Sequence, residues 1–79
     1  MYPFLSVVIP AFNEEINICK TINSIIVQDY SFYEVVIVDD GSLDNTSLKL
    51  IDSFGFKQTS FFENKIWNTI INNKLFILF

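Results

Sequence analysis

Two short segments of this chain carry residue types that suit a ligand. Pro10-Ala11-Phe12-Asn13 follows the apolar run Leu5–Ile9, and Asp39-Asp40-Gly41-Ser42 follows the largely apolar run Glu34–Val38. If the two runs are neighbouring parallel strands, both segments leave the same edge of a sheet, about 5 Å apart. Ligands of open α/β sheets bind in the crevice outside the carboxyl ends of the strands. The spacing therefore predicts one shared site.

The side chains in these segments suit a nucleoside. The Asp40 carboxylate can accept a hydrogen bond from a uracil ring N–H or a ribose hydroxyl, and Phe12 can give the base a flat apolar wall. Pro10 fixes the direction of its backbone carbonyl, and Gly41 permits a positive φ beside a ligand. Structural alternatives stand beside these roles: Asp-Asp-Gly-Ser is a common turn composition, Phe12 also suits a core, and Glu14 suits the first turn of a helix.

The elements that position these segments alternate between strand and helix. Leu5–Ile9 is rich in β-branched residues, which predicts a buried strand. Glu34–Val38 has the same character and is expected to be covered on both faces. Asn13 is a good N-cap, and Glu14 and Glu15 favour the helix that follows. We expect this helix to run from about residue 14 to residue 28 because apolar residues recur at helical spacing, namely Ile18, Ile22, Ile25 and Ile26.

A second helix and a less regular tail complete the chain. Asp44-Asn45-Thr46-Ser47 predicts a helix start and Gly55 its end. The β-α-β-α order predicts an α/β fold with parallel strands joined by a right-handed crossover. Residues 66–71 fit one helical stripe and Leu75–Phe79 fits a strand. We expect residues 1–55 to form one nucleotide-binding unit, and residues 56–79 to be a divergent tail whose composition also fits an unintended reading frame.

Composition excludes several classes of protein. The chain has 79 residues, is 51% hydrophobic and carries a formal net charge of −4 with five lysines and no arginine. Such a chain is neither intrinsically disordered nor suited to nucleic acid, whose binding depends on cations that contact phosphates. The single Cys19 excludes an intrachain disulfide and suits a packing role. No signal peptide or membrane-spanning segment is evident, so we expect a cytoplasmic chain.

Both segments match a known family. Residues 6–15, followed by residues 35–42, resemble the opening of the family 2 glycosyltransferases, and Asp44-Asn45-Thr46 fits the same pattern. The resemblance covers about Leu5 to Ile51. It implies a partial Rossmann-like GT-A fold, with transfer of a sugar from a nucleotide sugar, commonly UDP-linked, to a saccharide, lipid or protein acceptor. It leaves open peripheral membrane attachment of a longer parent protein.

The resemblance also implies which residues contact the nucleotide. The first loop holds the nucleobase and ribose, and the second aspartate of the pair contacts the uracil. The nucleotide-binding residues expected on this basis are Pro10, Ala11, Phe12, Glu14, Asp39, Asp40 and Gly41. Family members use a divalent cation, Mg²⁺ or Mn²⁺, held by an Asp-x-Asp motif.

That motif has no counterpart anywhere in this sequence. We therefore predict neither a metal ligand nor a catalytic residue. Without a cation to neutralise the diphosphate, the 79-residue chain should be inactive alone.

Two other interpretations remain open. The chain could be a non-catalytic truncated product or an interaction module, and its exposed strand edges would favour self-association. A signalling receiver domain also carries an acidic pair after an apolar strand. In that fold the pair should follow the first strand, whereas Asp39-Asp40 follows the second. A nucleotide titration separates the first two interpretations, because saturable UDP binding requires both loops to be assembled.

Overall fold

Five strands and two helices make up the described part of the chain. The structure, a computed structural model, describes residues 3–39, 41–61 and 64–79. The elements, in chain order, are β1 (Leu5–Pro10), α1 (Ile18–Ile26), β2 (Tyr33–Val38), α2 (Thr46–Phe54), β3 (Lys57–Phe61), β4 (Asn64–Ile71) and β5 (Lys74–Leu78).

All five strands form one mixed sheet in the order β1-β2-β5-β4-β3. β1 pairs with β2 in parallel, from Leu5 opposite Tyr33 to Pro10 opposite Val38. β2 also pairs in parallel with β5, whereas β4 is antiparallel to both β5 and β3. The predicted α/β class with parallel strands is confirmed, and the antiparallel pairs are an addition to it.

The core lies on the sheet face that both helices cover. Ile18 and Ile22 of α1 and Leu50 of α2 are buried there, packed with side chains of the sheet. The buried sheet residues are Tyr33, Val35, Ile37, Phe76 and Leu78. Half-buried Cys19 packs against this core, with its sulfur 3.4 Å from the Ser53 hydroxyl of α2. The packing role predicted for Cys19 is confirmed.

The prediction that β2 is covered on both faces is wrong, and so is the prediction that β1 is buried. In β2, Tyr33, Val35 and Ile37 are buried, but the residues that alternate with them are half-buried or exposed. β1 has no fully buried residue. The reason is topological: β1 lies at the edge of the sheet, and both helices lie on the same face. An apolar run shows that a strand can be buried but does not supply the layer that buries it.

The first helix begins later than predicted, at Ile18 rather than near Glu14, and ends at Ile26. Asn13 adopts a left-handed φ of 52°, so the backbone is not helical there. Asn17 occupies the N-cap position instead, without a side-chain cap bond. The predictions that Asn13 caps α1 and that Glu14 and Glu15 lie in its first turn are therefore wrong. At the end of α2, Gly55 has a φ of 70°, which confirms it as the helix terminator.

The tail forms strands where a helical stripe was considered. Residues 66–71 lie in β4, so the helical interpretation is wrong, while the predicted strand at Leu75–Phe79 is confirmed as β5. Asn72 and Asn73 both have positive φ, which a two-residue hairpin turn of the type I′ kind requires. Trp67 and Ile71 pack against the core, so this hairpin shares one core with the preceding elements. The boundary at residue 55 and the origin of the tail sequence stay predictions.

Candidate functional site

The loops after β1 and β2 meet at one edge of the sheet. We call residues 11–17 the first loop and residues 39–45 the second loop; within the latter, Asp40 lies outside the described residues. Because β1 and β2 are parallel neighbours, with Pro10 opposite Val38, both loops leave the sheet at the carboxyl ends of adjacent strands. The Ala11 N–H donates to the Val38 carbonyl at 2.8 Å, which extends the pairing into the first loop.

Three consecutive backbone N–H groups of the first loop donate to side chains that follow β2. The Asn13 N–H donates to the Ser42 hydroxyl at 2.9 Å, and the Glu14 N–H donates to the Thr46 hydroxyl at 2.9 Å. The Glu15 N–H donates to the Asp44 carboxylate at 3.2 Å. Residues 13–15 precede α1 and are not strand-paired, so these side chains satisfy donors that secondary structure leaves unpaired.

The second loop donates in return. The Leu43 N–H donates to the Asn13 side-chain oxygen at 2.7 Å, and the Asn45 N–H donates to the Glu15 carboxylate at 2.7 Å. Asn13 and Glu15 are therefore occupied in joining the loops, rather than in capping α1. The bonds in both directions form what we call the loop–loop network. They join residues about 30 positions apart, so they hold the two loops as one surface.

The Asp39 carboxylate accepts hydrogen bonds from the second loop and from α2. One oxygen accepts the Ser42 N–H at 3.2 Å and lies against the Ser42 hydroxyl, and the other accepts the Ser47 hydroxyl. The backbone is tied as well, since the Asp39 N–H donates to the Phe79 carbonyl at 3.0 Å. This half-buried carboxylate is therefore held by hydrogen bonds from the second loop and from α2.

Asp44 is the described carboxyl whose pKa departs from its ordinary value. Its oxygens accept from the Thr46 hydroxyl, the Thr46 N–H and the Glu15 N–H. The hydrogen bond from the Thr46 hydroxyl lowers the pKa of the Asp44 carboxyl most, and the backbone N–H groups add to this against an opposing effect of desolvation. Asp44 is thus held as an acceptor-only carboxylate at neutral pH.

Of the other predicted site residues that the structure describes, Ala11 is buried and the rest are exposed. The Phe12 side chain is 56% exposed, so the alternative that it belongs to the core is wrong. Glu14 is exposed, and its carboxylate makes no hydrogen bond with the described residues. Pro10 is exposed, whereas Ala11 is fully buried. Gly41 has a φ of 75°, which an L-residue adopts only with strain.

Sequence reasoning missed the residues that bind the loops to each other. The sequence pattern predicts Asn13 as a helix cap, but the structure uses its side chain to join the loops. Asp44 and Thr46 do lie at the start of α2, as predicted, and they join the loops as well. A signal was available. Asn, Asp, Ser and Thr side chains commonly bond nearby backbone in turns, so two such clusters after adjacent strands were candidates to bond each other.

Two surface cavities lie away from this site. One of about 340 Å³ is lined by residues 29–32, just before β2. The other, of about 200 Å³, is lined in part by Leu5 and Tyr33, the first residues of β1 and β2. Both cavities are therefore at the amino ends of the strands, and none of their described lining residues is a predicted site residue.

Comparison with known proteins identifies the family. The family model described as glycosyl transferase family 2 matches residues 6–71, which include both loops and both helices. The chain belongs to glycosyl transferase family 2. The match also extends beyond residue 55, through β3 and β4.

Several curated proteins resemble this glycosyl transferase family 2 chain. Glycosyltransferase AglE of Haloferax volcanii is 52% identical over 46 residues, covering 56% of the chain and 15% of the relative. Dolichyl-phosphate beta-glucosyltransferase of Dictyostelium discoideum is 42% identical over 65 residues, covering 72% and 20%. Hyaluronan synthase of Streptococcus pyogenes is 31% identical over 71 residues, covering 89% and 17%. The chain spans at most 20% of the length of these relatives. No solved structure matches it.

The described residues offer no ligand set for the divalent cation that the family resemblance implies. Among residues 3–39, 41–61 and 64–79, no group of three or more His, Cys, Asp or Glu side chains is arranged to hold a metal ion. The carboxylates of Asp39, Asp44 and Glu15, which lie in the two loops, accept hydrogen bonds from loop N–H groups. In the described part of the chain, no helix is long and apolar enough to cross a membrane.

Proposed function

We propose that this chain supplies the nucleoside-binding loops of a glycosyltransferase that takes its sugar from a UDP-sugar. One observation carries the proposal: the two loops leave adjacent parallel strands and are joined into a single surface by the loop–loop network. Membership of glycosyl transferase family 2 supports the reaction class. Since the named relatives include a beta-glucosyltransferase, UDP-glucose is the first donor to try.

Each predicted site residue takes a proposed role on this surface. Phe12, exposed in the first loop, stacks on the uracil, and Glu14 binds the ribose hydroxyls with its unoccupied carboxylate. Pro10 and Gly41 shape the backbone on either side. For Asp40, which lies outside the described residues, the family resemblance supports a carboxylate that accepts the uracil ring N–H. Ala11 and Asp39 contribute through their positions, since one is buried and the other is hydrogen-bonded internally.

Titration of the purified 79-residue chain with UDP, followed by calorimetry or NMR, tests the proposal. We expect saturable binding that is stronger for UDP than for CDP, because cytosine lacks the ring N–H that a carboxylate accepts. Phe12→Ala should weaken binding by roughly 5- to 150-fold, the range found when a stacking aromatic is truncated. Asp40→Ala should reduce the preference for UDP over CDP.

Val27→Ala is the matched control for the aromatic truncation. Val27 is 77% exposed at the far end of α1, so its truncation removes exposed apolar surface outside the loops. A chain that circular dichroism shows to be folded, and that gives no saturable signal with UDP, would overturn the proposal. Equal affinity for UDP and CDP would remove the assigned role of Asp40 alone.

We further propose that the 79-residue chain transfers no sugar by itself. Its described residues offer no carboxylate cluster for a cation, and the diphosphate leaving group then lacks the charge neutralisation that such transfers use. Incubation with UDP-glucose and Mg²⁺ or Mn²⁺ should release UDP no faster than buffer does. A full-length family 2 enzyme serves as the positive control. UDP release proportional to chain concentration would contradict this proposal.

The position of β1 at the edge of the sheet supports self-association of the chain. Its outer edge has no strand partner among the described residues, and Val8 on this strand is 63% exposed. Unprotected edges of this kind pair with other chains, and lysine on an edge strand discourages such pairing. Val8→Lys should therefore lower the mass measured by light scattering at high concentration. Val27→Lys makes the same charge change elsewhere and should not; equal masses for wild type and Val8→Lys would exclude this edge.

A further inference from the structure

The Ser42 hydroxyl contacts the backbone on both sides of Phe12, the residue predicted to stack on the base. The Ser42 hydroxyl accepts the Asn13 N–H at 2.9 Å and lies 3.0 Å from the Ala11 carbonyl oxygen, toward which it donates. Ala11 and Asn13 are the two chain neighbours of Phe12. A single side chain from the second loop thus holds the backbone on both sides of Phe12.

The Ser42 hydroxyl is itself held in place. Its single proton is shared between the Ala11 carbonyl and an Asp39 carboxylate oxygen, and the same oxygen also accepts the Ser42 N–H at 3.2 Å. Asp39 is fixed in turn by Ser47 of α2 and by its backbone bond to Phe79. The hydroxyl is therefore held by a chain of contacts that ends at α2 and at Phe79, the residue that follows β5.

The backbone turn that carries Phe12 includes a conformation that such contacts help to hold. Residues 12 and 13 form a turn between β1 and α1, and Asn13 has a positive φ, which non-glycine residues seldom adopt. A loop held in its binding conformation loses less freedom when a ligand arrives, and this raises affinity. An exposed aromatic ring on an unanchored turn would lose that advantage.

We propose that Ser42 is a positioning residue of the nucleotide site: it holds the backbone on both sides of Phe12 and so keeps the ring where the base stacks. This inference rests on the proposed nucleotide binding. Ser42 acts here through Phe12 and makes no contact with the ligand. The chemistry it serves is the stacking of a planar nucleobase, so its effect extends to any base that Phe12 accepts.

A double-mutant cycle on the full chain tests this with UDP as the probe. Ser42→Ala should weaken UDP binding roughly 2- to 10-fold, in line with the ordering of one or two side chains. Ser42→Thr, which keeps a hydroxyl, should restore most of the affinity. In a Phe12→Ala background, Ser42→Ala should have little further effect. A merely structural role would weaken binding by the same factor in both backgrounds, and that result would overturn the proposal.

Amide exchange in the ligand-free chain separates this inference from the nucleotide proposal. The Asn13 N–H should exchange more slowly in wild type than in Ser42→Ala, whatever the nucleotide affinity is. Ser24→Ala, which removes a serine hydroxyl bonded within α1, is the matched control and should leave Asn13 unchanged. Equal Asn13 exchange in wild type and Ser42→Ala would overturn the inference. If Ser42→Ala speeds Asn13 exchange as expected but wild type does not bind UDP, the nucleotide proposal is overturned instead.

Discussion

The two faces of the sheet are built from the same residue types and have opposite surroundings. On the helix-covered face, Val35 and Ile37 of β2 and Phe76 of β5 are fully buried beneath α1 and α2. On the opposite face, Val8 is 63% exposed and Ile70 is 70% exposed. Both sets lie on paired strands, so the difference does not come from the strands themselves.

This comparison separates what a strand pattern encodes from what the rest of a fold supplies. An uninterrupted run of β-branched residues is typical of a strand buried on both faces. Here that pattern occurs in β1 and β2, but both helices lie on one side. The opposite, open face therefore leaves apolar side chains such as Val8 and Ile70 in contact with solvent.

Matched isoleucine truncations test the comparison with the largest expected effect. Ile37→Ala on the covered face should lower the free energy of unfolding by about 2–5 kcal/mol, since it removes a buried side chain and leaves a cavity. Ile70→Ala on the open face should cost about 1 kcal/mol or less. Urea denaturation followed by circular dichroism measures both values.

If an alanine variant of this small chain does not fold, the milder pair Ile37→Val and Ile70→Val allows the same comparison. Ile37→Val should cost about 0.5–1.5 kcal/mol, and Ile70→Val should have almost no effect. Equal losses at the two positions would mean that the open face is covered in solution. A light-scattering mass greater than that of one chain would then identify another copy as the cover.

Much of the fold could be predicted from local patterns, and the remainder depended on distant partners. Apolar periodicity located β1, α1, β2 and α2, and Gly55 marked the end of α2. The stretch from residue 66 to residue 71 has a helix-compatible spacing, yet it forms β4 because β5 and β3 pair with it on both sides. That pairing depends on a hairpin turn at two asparagines, for which the sequence pattern is weaker than for a glycine turn.

The location of the candidate site could be predicted from the sequence, but the role of each residue in it was harder to predict. Parallel neighbours bring their carboxyl-end loops together, and the structure has this arrangement. What the sequence does not reveal is which polar groups are already occupied. The Asp39 carboxylate, for example, accepts hydrogen bonds from Ser42 of the second loop and from Ser47 of α2. Such occupancy depends on contacts that form only after folding.

The smallest expected effect on stability comes from Asp44 in the second loop rather than from either face of the sheet. Hydrogen bonds, chiefly from Thr46, lower the pKa of the Asp44 carboxyl in the folded chain below its unfolded value. A group of this kind adds stability above its unfolded pKa of about 4, and the contribution disappears as the pH falls through the folded pKa. Truncations on the covered face should shift stability equally at all pH values, since they remove no charge.

Urea midpoints measured from about pH 7 down to about pH 3 isolate this contribution. Asp44→Asn keeps an oxygen acceptor but loses the charge, so it should be less stable than wild type at neutral pH, with the difference closing below about pH 4. Asp52→Asn, on the exposed side of α2, removes the same charge outside the loop–loop network. If the Asp44→Asn difference stays constant with pH, the charged form of Asp44 does not stabilise the loops, and only the neutral hydrogen bonds join them.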